Sequence, residues 1–174
     1  MGGTVMHPAA SSSRTWLTFA LTAYLLLGPS APAWPGDLPD ERATLKGLTT
    51  LRVRVEELEP DAERDGLTAS QILTDVELRL QKAGLMVSDS ANEILYVRVN
   101  ARNSQQGFYS YSIRVEVLQA ARLVRDPKIL WGALTWSDGT IGMVGAANLK
   151  QVRDGVADIV DKFITAYLEQ NPKR

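Results

Sequence analysis

Few residues in this chain could carry chemistry, and the missing types are as informative as those present. The 174 residues include no cysteine and one histidine, His7. If the first 33 residues are removed as a leader, as argued below, the remaining chain has neither. A Ser-His-Asp triad, a cysteine nucleophile, a disulfide and a Cys/His zinc or haem site are then excluded. Carboxylates, hydroxyls and lysines remain. Asp154, Asp158 and Asp161 line one side of the last helical stretch, but like charges at that spacing read as a solvated face. A general-acid carboxylate needs burial or a specific partner to bring its pKa toward neutrality. No nucleophile–base pair is legible. The expectation is a chain that is not an enzyme and holds no cofactor, with a carboxylate-based hydrolase as the catalytic alternative.

Two loops resemble ligand sites. Asp61, Glu63 and Asp65 alternate and Gly66 stands sixth, as at the start of an EF-hand calcium loop. The twelfth position, which should supply a bidentate glutamate, is Ile72, so the oxygen set is incomplete. The same residues also read as a solvated acidic turn that favours the N-terminus of the next helix. Gly139, Gly142 and Gly145 recur every third residue before the last helix, with Asn148 as its N-cap. Gly142, Gly145 and Asn148 are the candidate anion-binding loop, because a helix start presents free N–H groups. The phosphate-loop residues are missing, and the alternative is a tight bend whose glycines supply positive φ and close approach.

The third candidate is a surface. Leu51, Val53 and Val55 alternate with charged residues, as a half-buried strand does. Residues 94–102 and 108–118 alternate in the same way and flank a Gly-containing turn, which predicts a hairpin. Residues 129–137 form a fourth strand, with Leu130, Leu134 and Trp136 on one side and Trp131 on the other. Alternation then places Tyr96, Arg98, Phe108, Arg114 and Trp131 together on an open face. Aromatic and arginine side chains are the usual anchors of interfaces, although cross-strand aromatic pairs also stabilise an open sheet without binding anything.

The elements that position these residues are well marked. Thr68 to Gln71 form a capping box, and Leu67 and Ile72 a hydrophobic staple. Ile72, Leu73, Val76, Leu80 and Ala83 share one helical face, and Gly84 closes the helix with Leu85 in a Schellman turn. Leu149, Val152, Val156, Ile159, Val160, Phe163, Tyr167 and Leu168 keep helical spacing to the end of the chain. Gly155 in mid-helix costs about 1 kcal/mol against alanine, which points to close helix–sheet packing there. The predicted order is β-α-β-β-β-α. The fold class is α+β, a two-layer sandwich with a four-stranded, mostly antiparallel sheet and two helices on one face.

Residues 15–28 form an uncharged apolar run preceded by Arg14 and followed by Gly28-Pro29-Ser30 and Ala31-Pro32-Ala33. This is the layout of a secretory signal with a small-x-small cleavage site. The run is shorter than the ~20 residues that span a bilayer. Residues 1–33 are therefore expected to be a signal peptide, 34–47 a mobile mature N-terminus, and 48–171 a single domain. Removal of the signal would leave no stable membrane insertion. No cysteine follows the run, so no lipid anchor is expected. The net charge of −1 gives no support to nucleic-acid binding.

The element order and the export pattern over roughly residues 48–170 resemble small envelope domains of Gram-negative bacteria, such as the lipopolysaccharide-assembly lipoprotein LptE and the amino-terminal domain of TolB. The chain departs from the LptE pattern in lacking the lipid-acceptor cysteine, and no site residue transfers. The stretch Asp65-Gly66-Leu67-Thr68 through Lys82-Ala83-Gly84 resembles a helix of uncharacterised exported bacterial proteins, a resemblance that implies no activity. The expected function is a non-catalytic binding or assembly module of the cell envelope, periplasmic or secreted, meeting an envelope protein through its open sheet face or an edge strand. The alternative is a carrier holding a small apolar or amphiphilic ligand between sheet and helices.

Overall fold

The computed structural model describes residues 1–3, 37–104 and 106–172. The chain divides into two units, Met1–Ala33 and Trp34–Arg174, and the architecture below is that of the second. The expected signal peptide lies almost wholly outside the described residues.

In chain order the elements are α1 (Pro39–Ala43), β1 (Thr50–Val55), α2 (Pro60–Arg64), α3 (Ala69–Ala83), β2 (Met86–Val87), β3 (Ile94–Asn103), β4 (Phe108–Arg122), β5 (Ile129–Gly145), the 3-10 turn Ala146–Gln151, and α4 (Val152–Gln170). The sheet is five-stranded, in the order β2-β1-β3-β4-β5. β1 is parallel to both β2 and β3, whereas β3, β4 and β5 form an antiparallel meander. The sheet is thus mixed, with one strand more than the expected four. The extra strand, Met86–Val87, is too short to show a period, so alternation could not reveal it.

The helix signals around α3 read correctly. Thr68 Oγ1 accepts from the Gln71 amide at 3.3 Å. The return bond of a full capping box is absent, and Ser70 Oγ lies 3.2 Å from Thr68 Oγ1 instead. Gly84 sits at φ +90°, and the Leu85 amide donates to Leu80 O at 3.0 Å, completing the Schellman closure. Leu67 and Ile72 are both buried. α3 and α4 cover the same face and are tied together by Arg153, whose Nε and Nη2 donate to Asp75 Oδ2 at 2.9 and 2.6 Å, and by Arg79 with Asp161 at 2.7 Å. These half-exposed pairs are worth little individually. The layer contact is apolar. Leu51, Leu95, Val97, Val115, Val117 and Trp136 of the sheet are buried with Val76, Leu80, Val156, Ile159 and Phe163 of the helices. A Cβ on Gly155 would lie 2.8 Å from Ile113 Cδ1, so α4 does approach the sheet closely there.

Three expectations need correction. Residues 37–47 lie in the stretch expected to be mobile, yet they form α1 and bury Leu45 completely. Asp37 holds them to the sheet: its carboxylate accepts from Arg42 at 2.5 and 2.9 Å and from Trp136 Nε1 at 2.8 Å. The stretch 139–145 is not a loop, because β5 continues through it, paired with β4 as far as Phe108↔Gly145. Finally, Leu134 does not share a face with Trp136. A register shift between Val117 and Leu118 pairs Val117 with Trp136 but Leu118 with Leu134, and a bulge of this kind turns the following side chain to the other face. Trp136 is buried and Leu134 exposed.

Tyr109 is buried and its hydroxyl donates to Asp65 Oδ2 at 2.7 Å. That bond, reinforced by burial, raises the tyrosine above its ordinary value of 10. A raised folded-state pKa contributes stability that is complete below pH 10 and is lost as pH rises through the folded value. Tyr109→Phe is expected to lower stability by about 1 kcal/mol near neutrality and to flatten the decline above pH 10. Urea denaturation of both proteins at neutral and alkaline pH checks this.

Candidate functional site

The face of the sheet away from α3 and α4 carries no covering element among the described residues. Antiparallel register brings open-face side chains into rows. Arg98 of β3 stands opposite Arg114 of β4, which stands opposite Gly139 of β5. The next rows are Asn100, Ser112 and Ile141, then Arg102, Ser110 and Met143. Arg98 donates from Nε to Glu56 Oε2 at 2.6 Å, and its guanidinium lies 5.5 Å from the centre of the Tyr96 ring. The Glu56 hydrogen bond raises the Arg98 pKa, so the group stays cationic. Arg114 meets Glu116 only at 3.6 Å, a loose pair in which the arginine is exposed and the glutamate largely buried. Because Gly139 lacks a side chain, a depression of about 250 Å³ opens beside the arginines, lined also by Asn100, Ser112 and Ser137. A shallower depression continues along Ser110, Ile141 and Met143.

Of the five expected face residues, Tyr96, Arg98 and Arg114 come together. Phe108 is on the same face but at the far end of β4, beside Gly145. Trp131 is 69% exposed and lies in a different region. β3 pairs with β4 only as far as Leu118, so beyond that point β4 and β5 form a two-stranded arm. Ile129, Leu130, Trp131 and Leu134 are all exposed on it. Ile141 and Met143 were hidden from sequence reading by the glycine spacing around them. Their alternation with Thr140, Gly142 and Val144 was the available signal.

The other candidates are not assembled. Gly142 lies within β5, Gly145 ends it, and Asn148 is an exposed residue of the 3-10 turn. Neither Gly142 nor Gly145 has positive φ. α4 begins with Gln151 at its cap position and no side-chain cap. Asn148 lies inside the 3-10 turn Ala146–Gln151, with the buried Leu149 next to it, and so does not stand at the start of α4. In the acidic segment Asp61 and Glu63 are in α2, where Asp61 pairs with Arg64, and Asp65 is taken by Tyr109. Among the described residues no group of three or more His, Cys, Asp or Glu could hold a metal ion. No helix among them is long and apolar enough to cross a membrane.

No family model matches the chain, and no curated protein does. The solved structures to which it is similar include two of low identity. One is a minor lipoprotein from Acinetobacter baumannii, 13% identical with a TM-score of 0.33, covering 68% of this chain and 91% of that one. The other is a PelC variant from Paraburkholderia phytofirmans, solved as a dodecamer, 16% identical with a TM-score of 0.33, covering 71% of this chain and 86% of that one. Both likenesses are of shape alone, and slight.

Proposed function

We propose that this chain is a non-catalytic, exported binding or assembly module of the bacterial cell envelope, acting on a protein partner through the uncovered side of its sheet. The observation that supports this reading is the composition of that side. Arg98, Arg114, Arg102, Tyr96, Phe108, Ile141 and Met143 occupy one uncovered face, and contiguous exposed apolar groups beside arginines are what interface anchors look like. Export, to the periplasm or beyond, rests on the leader pattern of residues 15–33. The carrier alternative would need a cavity between sheet and helices. The sheet and helix residues that meet there, among them Val97, Val115, Val117, Val156 and Phe163, are buried in one apolar cluster. A carboxylate hydrolase would need a buried acid, and every buried residue described is apolar or aromatic.

The double substitution Arg114→Glu and Phe108→Ser, both on the open face, tests this reading. Both positions are exposed, so thermal unfolding should be unchanged within about 0.5 kcal/mol. Affinity capture from the exporting cell should lose its specific partner. A full partner set retained by the folded variant would overturn the proposal.

A further inference from the structure

The two rims of the sheet are managed differently. One rim is β2, two residues long. The other is β5, with 17 residues. Natural edges are blunted by shortness, lysine, proline, bulges or cover, because a free row of N–H and C=O groups invites another strand. β5 contains no Lys, Arg or Pro. Its single charge, Asp138, faces the helices and pairs with Lys162 at 3.0 Å. Cover exists over part of its length only. The Asp37 amide donates to Ser137 O at 2.8 Å, Glu41 accepts from the Ser137 amide at 3.3 Å, and the Gly139 amide is held by its own Asp138 carboxylate at 2.7 Å. Ser137 and Gly139 thus turn their amides outward. Strand alternation turns those of Ile141 and Met143 outward too, where no described group meets them. Both side chains are exposed, at 59% and 73%.

We propose that this rim pairs with the same rim of a second copy, antiparallel and centred on Ile141. This rests on the reading of the uncovered sheet as the working surface, and it names one partner for its edge. The argument for a second copy is self-complementarity. A two-fold axis at Ile141 places Met143 opposite the second copy's Gly139, next to the depression that the missing side chain leaves beside Arg114. It places Thr140 opposite Gly142, and the pairing stops short of Ser137, which Asp37 and Glu41 already cover. In both of these pairs a side chain meets a glycine, and no like charges face each other along the rim.

The absence of native cysteine makes the register testable. In a hydrogen-bonded antiparallel pair the Cα atoms lie ~5.5 Å apart, within disulfide range. Ile141→Cys should therefore cross-link to itself under mild oxidation. Met143→Cys should not, because its counterpart lies four residues along, roughly 14 Å away. Light scattering of the intact exported protein should give twice the chain mass. Met143→Lys should halve that value, and so should Ile141→Pro, which removes an outward amide and leaves the ladder to β4 intact. Met86→Lys on the opposite rim should leave it unchanged. A single-chain mass for the parent protein, a doubled mass that survives both β5 substitutions, or equal cross-linking at 141 and 143 would overturn the pairing. If the parent is a single chain yet the Arg114→Glu, Phe108→Ser variant still loses its partner, the edge pairing falls and the face reading stands.

Discussion

Trp136→Ala is expected to lower stability by about 3–5 kcal/mol, the range for truncating a large buried aromatic, and the midpoint of thermal unfolding by roughly 10 °C. The side chain is fully buried, meets Phe163 edge-on with ring centres 5.3 Å apart, and donates to Asp37 at 2.8 Å. It thereby joins three parts of the molecule: β5, α4 and the N-terminal segment that shields the middle of the β5 rim. Removal should leave a cavity between the layers and release Asp37. Trp131→Ala on the same strand is the control. Its side chain stands in solvent on the two-stranded arm, so the change should stay within about 0.5 kcal/mol. Differential scanning calorimetry of the two variants checks the contrast. Comparable losses would mean that the bulge near Leu118 has been misplaced.

Gly139→Ala is the second large effect. A Cβ at this position would lie 2.6 Å from the carbonyl oxygen of Ile113 and 3.6 Å from Arg114 Cα. These are main-chain atoms of the neighbouring strand, which cannot rotate away. The β4–β5 ladder must shift, at a cost of about 1–3 kcal/mol. Gly145→Ala provides the comparison, since no atom lies within 4 Å of its Cβ position and its φ of −64° suits any residue. That substitution should be neutral or stabilise by about 0.4–1 kcal/mol through the unfolded chain. Urea midpoints for the pair measure the difference. Equal midpoints would contradict the close strand approach.

The glycines also show where the sequence was legible and where it was not. Spacing alone made Gly139, Gly142 and Gly145 look like one loop. Packing treats each differently: Gly139 avoids a backbone carbonyl, Gly142 lies against the Tyr111 ring, and at Gly145 an added side chain would meet open space. Close approach between strands depends on tertiary geometry, which residue spacing does not encode. By contrast, α3 could be read from Thr68 to Leu85 because caps, period and closing glycine are local and agree with one another. β1, β3 and β4 were legible because one face of each is buried. Alternation failed at β5, where the bulge reverses the facing of Leu134 and the last half of the strand carries glycine at every third position. α1 was missed because Pro39 and its charged neighbours look like a linker. What fixes that segment is Leu45 in the core and the Asp37 hydrogen bonds, both of which involve distant residues.

In the proposed function the uncovered sheet face, and not the helical face, meets the partner. Site-specific photo-crosslinking in the exporting cell tests it most directly, with the reactive side chain placed at Tyr96 or Arg114 on the open face and at Leu78 on the outer side of α3, which is also exposed. Discrete adducts to another envelope protein are expected from positions 96 and 114 and none from position 78. Adducts from position 78 with none from 96 or 114 would contradict it.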